Sequence, residues 1–140
     1  MMNIEIYQIN MDRDENRKAF QSIDSLERFF GSAEIESAIY DKAFAGEVNC
    51  KDLEDVYQMF NLDRPKDYRG RSLSVSDVVA VIDADGKPTY HFCDSIGFKE
   101  VDFAPELTQE LKEKKISVNG KIVSIPYQPQ KEQDKGDIVL

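Results

Sequence analysis

Apolar positions change their spacing several times along the chain, and each change marks an element. In "NIEIYQIN", Ile4 and Ile6 alternate with an outward Glu5 and the run continues through Tyr7 and Ile9, which predicts a first strand. "DSLERFFG" switches to helical spacing: Leu26, Phe29 and Phe30 fall on one side, Asp24 stands at the N-cap with Glu27 three residues on, and Gly31 supplies the stop. Residues 32–48 fit neither period, with Ile35, Ala38 and Ile39 spaced as a helical turn and Tyr40 and Phe44 as extended chain. "NCKDLEDVYQMFN" is the clearest helix, because Leu53, Val56, Tyr57 and Phe60 fall at i, i+3, i+4 and i+7 behind a capping-box-like Asn49 and Asp52. Residues 61–71, with Pro65 and Gly70, form a loop. Pro105 at a first helical position, with Leu107 and Leu111 on one side, predicts another short helix, and Asn119-Gly120 between apolar runs predicts a hairpin.

The longest patterned stretch, "RGRSLSVSDVVAVIDADGKPTYHFCDSIGF", reads Ser-Asp, apolar run, turn, apolar run, Asp-Ser. Placing Asp85-Gly86 at the two centres of a type I′ turn sets the pairing. Val81 then faces Tyr90 and Val79 faces Phe92 on one buried side, while Ile82 faces Thr89, Ala80 faces His91 and Val78 faces Cys93 on the other. Asp77 falls opposite Asp94, and Ser76 opposite Ser95. Two like charges directly opposed destabilise a ribbon, so something must compensate. A divalent cation bridging Asp77 and Asp94, with His91 nearby, would suit metal-assisted phosphodiester cleavage. Arg69 or Arg71 between them would serve as well. Alternatively the ladder ends earlier, and each aspartate and its serine caps backbone N–H groups of its own turn.

Together these elements predict an α+β fold, an antiparallel sheet with hairpins over 78–93 and 116–125 packed against two to four short helices. Residues 1–104 form the domain, 105–126 a helix-plus-hairpin extension of it, and 127–140 a flexible tail.

Charge narrows the class of function. The chain carries 27 acidic and 18 basic residues, a net charge of -9, which disfavours a nonspecific hold on free duplex DNA and favours solubility or a basic partner surface. Residues 34–63 concentrate acids, and Glu34, Glu36, Glu47, Glu54 and Asp55 make a candidate contact surface. Arg64, Lys66, Arg69 and Arg71 follow directly, with Arg69 and Arg71 as a candidate anion grip. Cys50 and Cys93 lie far apart without metal-ligand spacing, which fits a reducing cytoplasm and gives no reason to expect a cofactor. The opening residues have no basic export signal, and no stretch reaches membrane-spanning length. "DADG" is a turn rather than a calcium loop, since alignment of its glycine puts Val81 and Phe92 at ligand positions. A lone His91 and the absence of G-x-S-x-G count against a serine hydrolase.

"GRSLSVSDVV" and "CDSIGF", with looser likeness in "IEIYQIN" and "LEDVYQMFNLD", resemble the YodL-like domain over roughly residues 3 to 103. The resemblance implies an accessory protein of a plasmid, conjugative element or phage of Firmicutes, in the cytoplasm of a bacterial host and often beside antirestriction genes. It brings no catalytic role to any residue. Three functions follow. The first is an anti-defence protein that inhibits a host nucleic-acid-targeting effector through its acidic surface, with an anti-CRISPR acting on a Cas9-type nuclease the best single candidate, since such effectors have basic channels. The second is a metal-dependent nuclease or RNA-processing factor using Asp77 and Asp94. The third is an interaction module for plasmid maintenance or conjugation.

Overall fold

The computed structural model describes residues 1–66 and 68–111 in full, and the backbone of 113–118 and 121–126. Six strands, β1 (Met2–Ile9), β2 (Tyr40–Val48), β3 (Val78–Ile82), β4 (Pro88–Cys93), β5 (Phe98–Val101) and β6 (Gln109–Glu110), form one sheet in the order β5-β4-β3-β1-β2-β6. Two helices, α1 (Ile23–Phe30) and α2 (Leu53–Leu62), cover its opposite faces. The fold is α+β, but the sheet is mixed: β2 and β6 run parallel through Asp41↔Gln109 and Lys42↔Glu110, and every other neighbouring pair is antiparallel.

β1 sits in the middle because it is apolar on both sides. Ile4 and Ile6 join Val79, Val56 and Phe60 under α2, whereas Tyr7 and Ile9 join Val78, Ala80 and Leu26 under α1. A bulge in the pairing with β2, between Ile6↔Phe44 and Tyr7↔Lys42, leaves Ala43 as the extra residue. Phe60 packs edge-on against Phe44 and Tyr68, at centroid distances of 5.0 and 4.9 Å, and locks α2 to the sheet. α2 is capped by Asp52, whose carboxylate accepts the Asp55 N–H at 2.9 Å. α1 is capped by Ser22 rather than by the expected Asp24, which instead pairs with Arg28 one turn on. Gly31 ends the helix in the left-handed conformation at φ 75°. Residues 32–48, ambiguous in period, resolve into a 3₁₀ turn at Ser37–Ile39 and strand β2.

The β3–β4 hairpin forms where expected, but its register is one residue away from the expected one. Its loop has three residues, not two: Asp83 faces Lys87, and Val78 pairs with Phe92, Val79 with His91 and Ala80 with Tyr90. The Asp83 carboxylate causes the slip, accepting the N–H groups of both Asp85 and Lys87 at 2.9 Å. Only Gly86 then takes a positive φ, 81°, whereas a type I′ turn would force Asp85 there too. A one-residue slip exchanges the faces of one strand relative to the other. Val78, Ala80, Tyr90 and Phe92 therefore lie together under α1, and Val79 and Val81 lie under α2, so the expected grouping of Val79, Val81, Tyr90 and Phe92 does not occur.

The helix expected after Pro105 is also absent. One 3₁₀ turn at Pro105–Leu107 leads directly into β6. Two leucines are a thin helical signal, and the chain is tied at both ends to the sheet side, Ala104 N–H to Ser37 Oγ at 2.9 Å and Leu111 N–H to the Lys42 carbonyl at 3.1 Å. The second hairpin pairs β7 (Glu113–Val118) with β8 (Lys121–Pro126) as a separate two-stranded sheet. Asn119-Gly120 and the tail at 127–140 lie outside the described residues.

Candidate functional site

With this register Asp77 faces Cys93, not Asp94: the Cys93 N–H donates to the Asp77 carbonyl at 2.7 Å, and the Ser76 N–H donates to the Cys93 carbonyl at 2.8 Å. The basis for a facing carboxylate pair is gone. The mirrored Ser-Asp and Asp-Ser steps instead tie the chain down on both faces of the sheet. Under α2, Asp77 is wholly buried, and its Oδ2 accepts the Ser74 N–H at 2.7 Å and the Gln8 amide at 2.9 Å. Gln8, near the end of the central strand, also donates to the Arg71 carbonyl at 3.1 Å and accepts the Arg71 N–H at 2.9 Å. The Tyr68 hydroxyl closes the loop by donating to that same Arg71 carbonyl. Gly70 is fixed by this knot, since a Cβ there would stand 2.2 Å from Gln8 Oε1 and 2.7 Å from the Tyr68 hydroxyl. Glycine permits an approach that no side chain does.

Under α1 the partners of the motif act on another segment. Ser76 Oγ accepts the Phe20 N–H at 2.9 Å, and Asp94 Oδ1 accepts the Ile23 N–H at 3.1 Å, on the first residue of α1. Ser76 itself has a positive φ of 85°, and its carbonyl accepts the buried Tyr40 hydroxyl at 2.6 Å. A non-glycine residue held there is pinned by its neighbours. Asp94 also accepts the Ser95 N–H at 2.8 Å and lies 3.7 Å from the Lys99 ammonium. Both aspartates thus bond to backbone N–H groups of their own turns, and each bonds to a distant segment as well.

Burial lifts the Asp77 carboxyl from its ordinary 3.8 to about 7; the Arg71 charge, the Gln8 amide and the Ser74 N–H pull it down but do not prevail. Its Oδ1 is buried without a hydrogen-bond partner. Burial likewise pushes the Cys93 thiol up to about 12, which disfavours the thiolate at this buried position. His91 is half-buried, its Nε2 2.9 Å from Thr89 Oγ1, and burial lowers its pKa while Glu100 across the strand pair raises it. Among the described residues no group of three or more His, Cys, Asp or Glu side chains is placed to hold a metal ion.

The two arginines brace the fold. Arg69 donates to the Leu111 carbonyl at 2.9 Å and lies 3.9 Å from Glu110, which ties the loop to β6. Arg71 donates to the Ile9 carbonyl at 3.1 Å and stacks over Phe20 at 5.6 Å. The acidic candidates are split between the two faces. Glu54 is exposed and Asp55 half-buried at the start of α2, whereas Glu34 and Glu36 precede the 3₁₀ turn on the α1 side, where Glu36 pairs with Lys18 at 3.2 Å. Glu47 is exposed on β2. Glu34 meets Glu100 and Asp102 across an open groove, two acids that segment-wise charge counting passed over because they lie far off in sequence. Gln8 and Gly70 were missed as well. An amide in step with the buried Ile4 and Ile6 is the available signal for the first, and the tight "RGR" step for the second.

These features define a two-layered clasp in an α+β domain, whose polar signature holds loops to the sheet. A family model described as the YodL-like domain matches residues 3–103, and the chain belongs to that family. The match runs from β1 through β5 and contains both halves of the clasp. No curated protein and no solved structure matches the chain.

Proposed function

We propose that the protein is a binding module that occupies a basic surface on a nucleic-acid-handling partner, and that it serves as an anti-defence inhibitor of a mobile element, with a Cas9-type effector as the first partner to test. The observation that carries this reading is the outer side of α2. Leu53–Leu62 contains no lysine or arginine, and it presents exposed Glu54 together with Tyr57 and Leu62, at 40% and 84% exposure. Carboxylates beside a tyrosine and a leucine offer charge steering and an apolar anchor on one surface. The net charge of -9 adds long-range attraction to a basic channel. The two aspartates that suggested catalysis are engaged in the clasp, which favours binding over chemistry.

Titration of the protein against a fixed amount of purified effector with its guide, read as DNA cleavage and guide integrity, tests this. Saturation near a fixed stoichiometry supports the binder, and weakening by added salt and by Glu54→Lys with Asp55→Lys locates the surface. Complete inhibition at strongly substoichiometric protein, or EDTA-sensitive guide degradation, returns the metal-dependent enzyme. Binding to a protein encoded by the same mobile element, with no effect on the effector, supports the conjugation or plasmid-maintenance module.

A further inference from the structure

β5 is an edge strand, and among the described residues no strand pairs with its outer side. An antiparallel edge presents alternate N–H and C=O groups outward, and folded proteins usually blunt it with lysine, proline or a bulge. Lys99 is the one lysine on β5, and its ammonium is turned to Asp94 at 3.7 Å. A groove of about 550 Å³ runs beside this edge, between residues 33–35 and 100–102. Its apolar side chains are Ala33, Ile35 and Val101, the last two packed into the core under α1. Its charged side chains are Glu34, Glu100 and Asp102, all exposed and none in an ion pair among the described residues. No cation lines it.

We infer that this groove receives an extended, lysine- or arginine-bearing segment of a partner protein, which adds to the open edge of β5 as a further strand. An edge supplies main-chain hydrogen bonds to any extended peptide, and the side chains along the groove then select among peptides. Here the selection is for alternation: apolar side chains toward Ile35 and Val101, and long cationic ones toward the three carboxylates, their aliphatic stems covering the groove walls. The inference rests on the reading of the protein as a binder of basic partners, and it names a second surface, at the β5 edge and apart from the outer side of α2.

The probe is a synthetic peptide of alternating lysine and valine, labelled for fluorescence anisotropy and titrated into the full chain. Binding accompanied by amide shift changes at residues 33–35 and 99–102 is the expected result. Glu100→Lys with Asp102→Lys should weaken it roughly tenfold or more, since like charges now face each other, while Glu54→Lys with Asp55→Lys should leave it unchanged. The milder Asp102→Asn keeps the test valid if the double reversal perturbs the sheet. A peptide N-methylated on alternate amides should lose binding, because strand addition needs those donors. Equal affinity for the methylated peptide, or for the groove variant, overturns the inference. Inhibition of the effector that fails with the α2 variant and survives in the groove variant would leave the proposed function standing and remove the groove from it; peptide binding at the groove without any effect on the effector would do the reverse.

Discussion

Asp77 is buried in a position where its charge is disfavoured, and this makes part of the stability a function of pH. Its folded pKa of about 7 lies above its ordinary 3.8, so the folded state holds the proton more tightly than the unfolded chain does. The stabilisation is therefore fully present below about pH 4 and is lost as pH rises toward about 7. Asp77→Asn keeps an acceptor for Ser74 and Gln8 and removes the titration. In urea melts the variant should gain stability relative to the wild type across that window; parallel profiles for the two proteins would mean that the carboxyl titrates normally. Gly70 offers a second test at this scale. Gly70→Ala should cost roughly 1–3 kcal/mol, as overpacking does, because the new methyl meets Gln8 Oε1 and the Tyr68 hydroxyl. In a Gln8→Ala background the same change should cost less, since one of the two clashing groups is gone. Equal costs in the two backgrounds would show that Gln8 does not crowd this position.

Among the elements, the β3–β4 hairpin carries the core under α1 and α1 depends on it in turn. Phe92 is 1% exposed, and Phe92→Ala should cost roughly 3–5 kcal/mol. Asp94→Ala removes the acceptor for the Ile23 N–H, and a lost helix-terminal acceptor costs about 1 kcal/mol. Hydrogen exchange should then quicken in residues 20–26 while the amides of β3 and β1 stay protected; uniform loss of protection across the sheet would contradict a local tie. Both strands of this hairpin, the strand at β1 and the body of α2 are legible in the sequence because the apolar period is clear there, although α2 is capped by Asp52 and not by the expected Asn49. What escaped has specific physical causes. The type I′ reading of Asp85-Gly86 ignored Asp83, whose side chain can bond two loop N–H groups and lengthen the loop. The leucines at 107 and 111 carry a helical spacing, but the long-range ties of Ala104 and Leu111 decide the conformation. The clasp was foreseen only in its local half. That aspartates cap their own turns follows from residue type, whereas the reach of Ser76 to Phe20 and of Asp94 to Ile23 needs the tertiary fold.

At the scale of the molecule, the sheet divides the acidic candidates into two independent sets, with Glu54 and Asp55 over α2 and Glu34 beside the β5 edge. Charge reversals on the two sides should combine additively if a partner touches both, as expected for sites with no shared contacts. Among the described residues no helix is long and apolar enough to cross a membrane. The central place of β1 has a further consequence for how the protein is made. A ribosome delivers β1 before either neighbour, yet β1 pairs with β2 at residues 40–48 and with β3 at 78–82. Until β3 has left the exit tunnel, one flank of Ile4, Ile6, Tyr7 and Ile9 stays uncovered, and the nascent chain trails an apolar strand with an open ladder, the kind of segment that chaperones hold and proteases cut. A chain arrested at Val75 should accordingly be protease-sensitive, and one released after β5 should resist digestion, so that the synthesis of β3 to β5 acts as the checkpoint for the first strand.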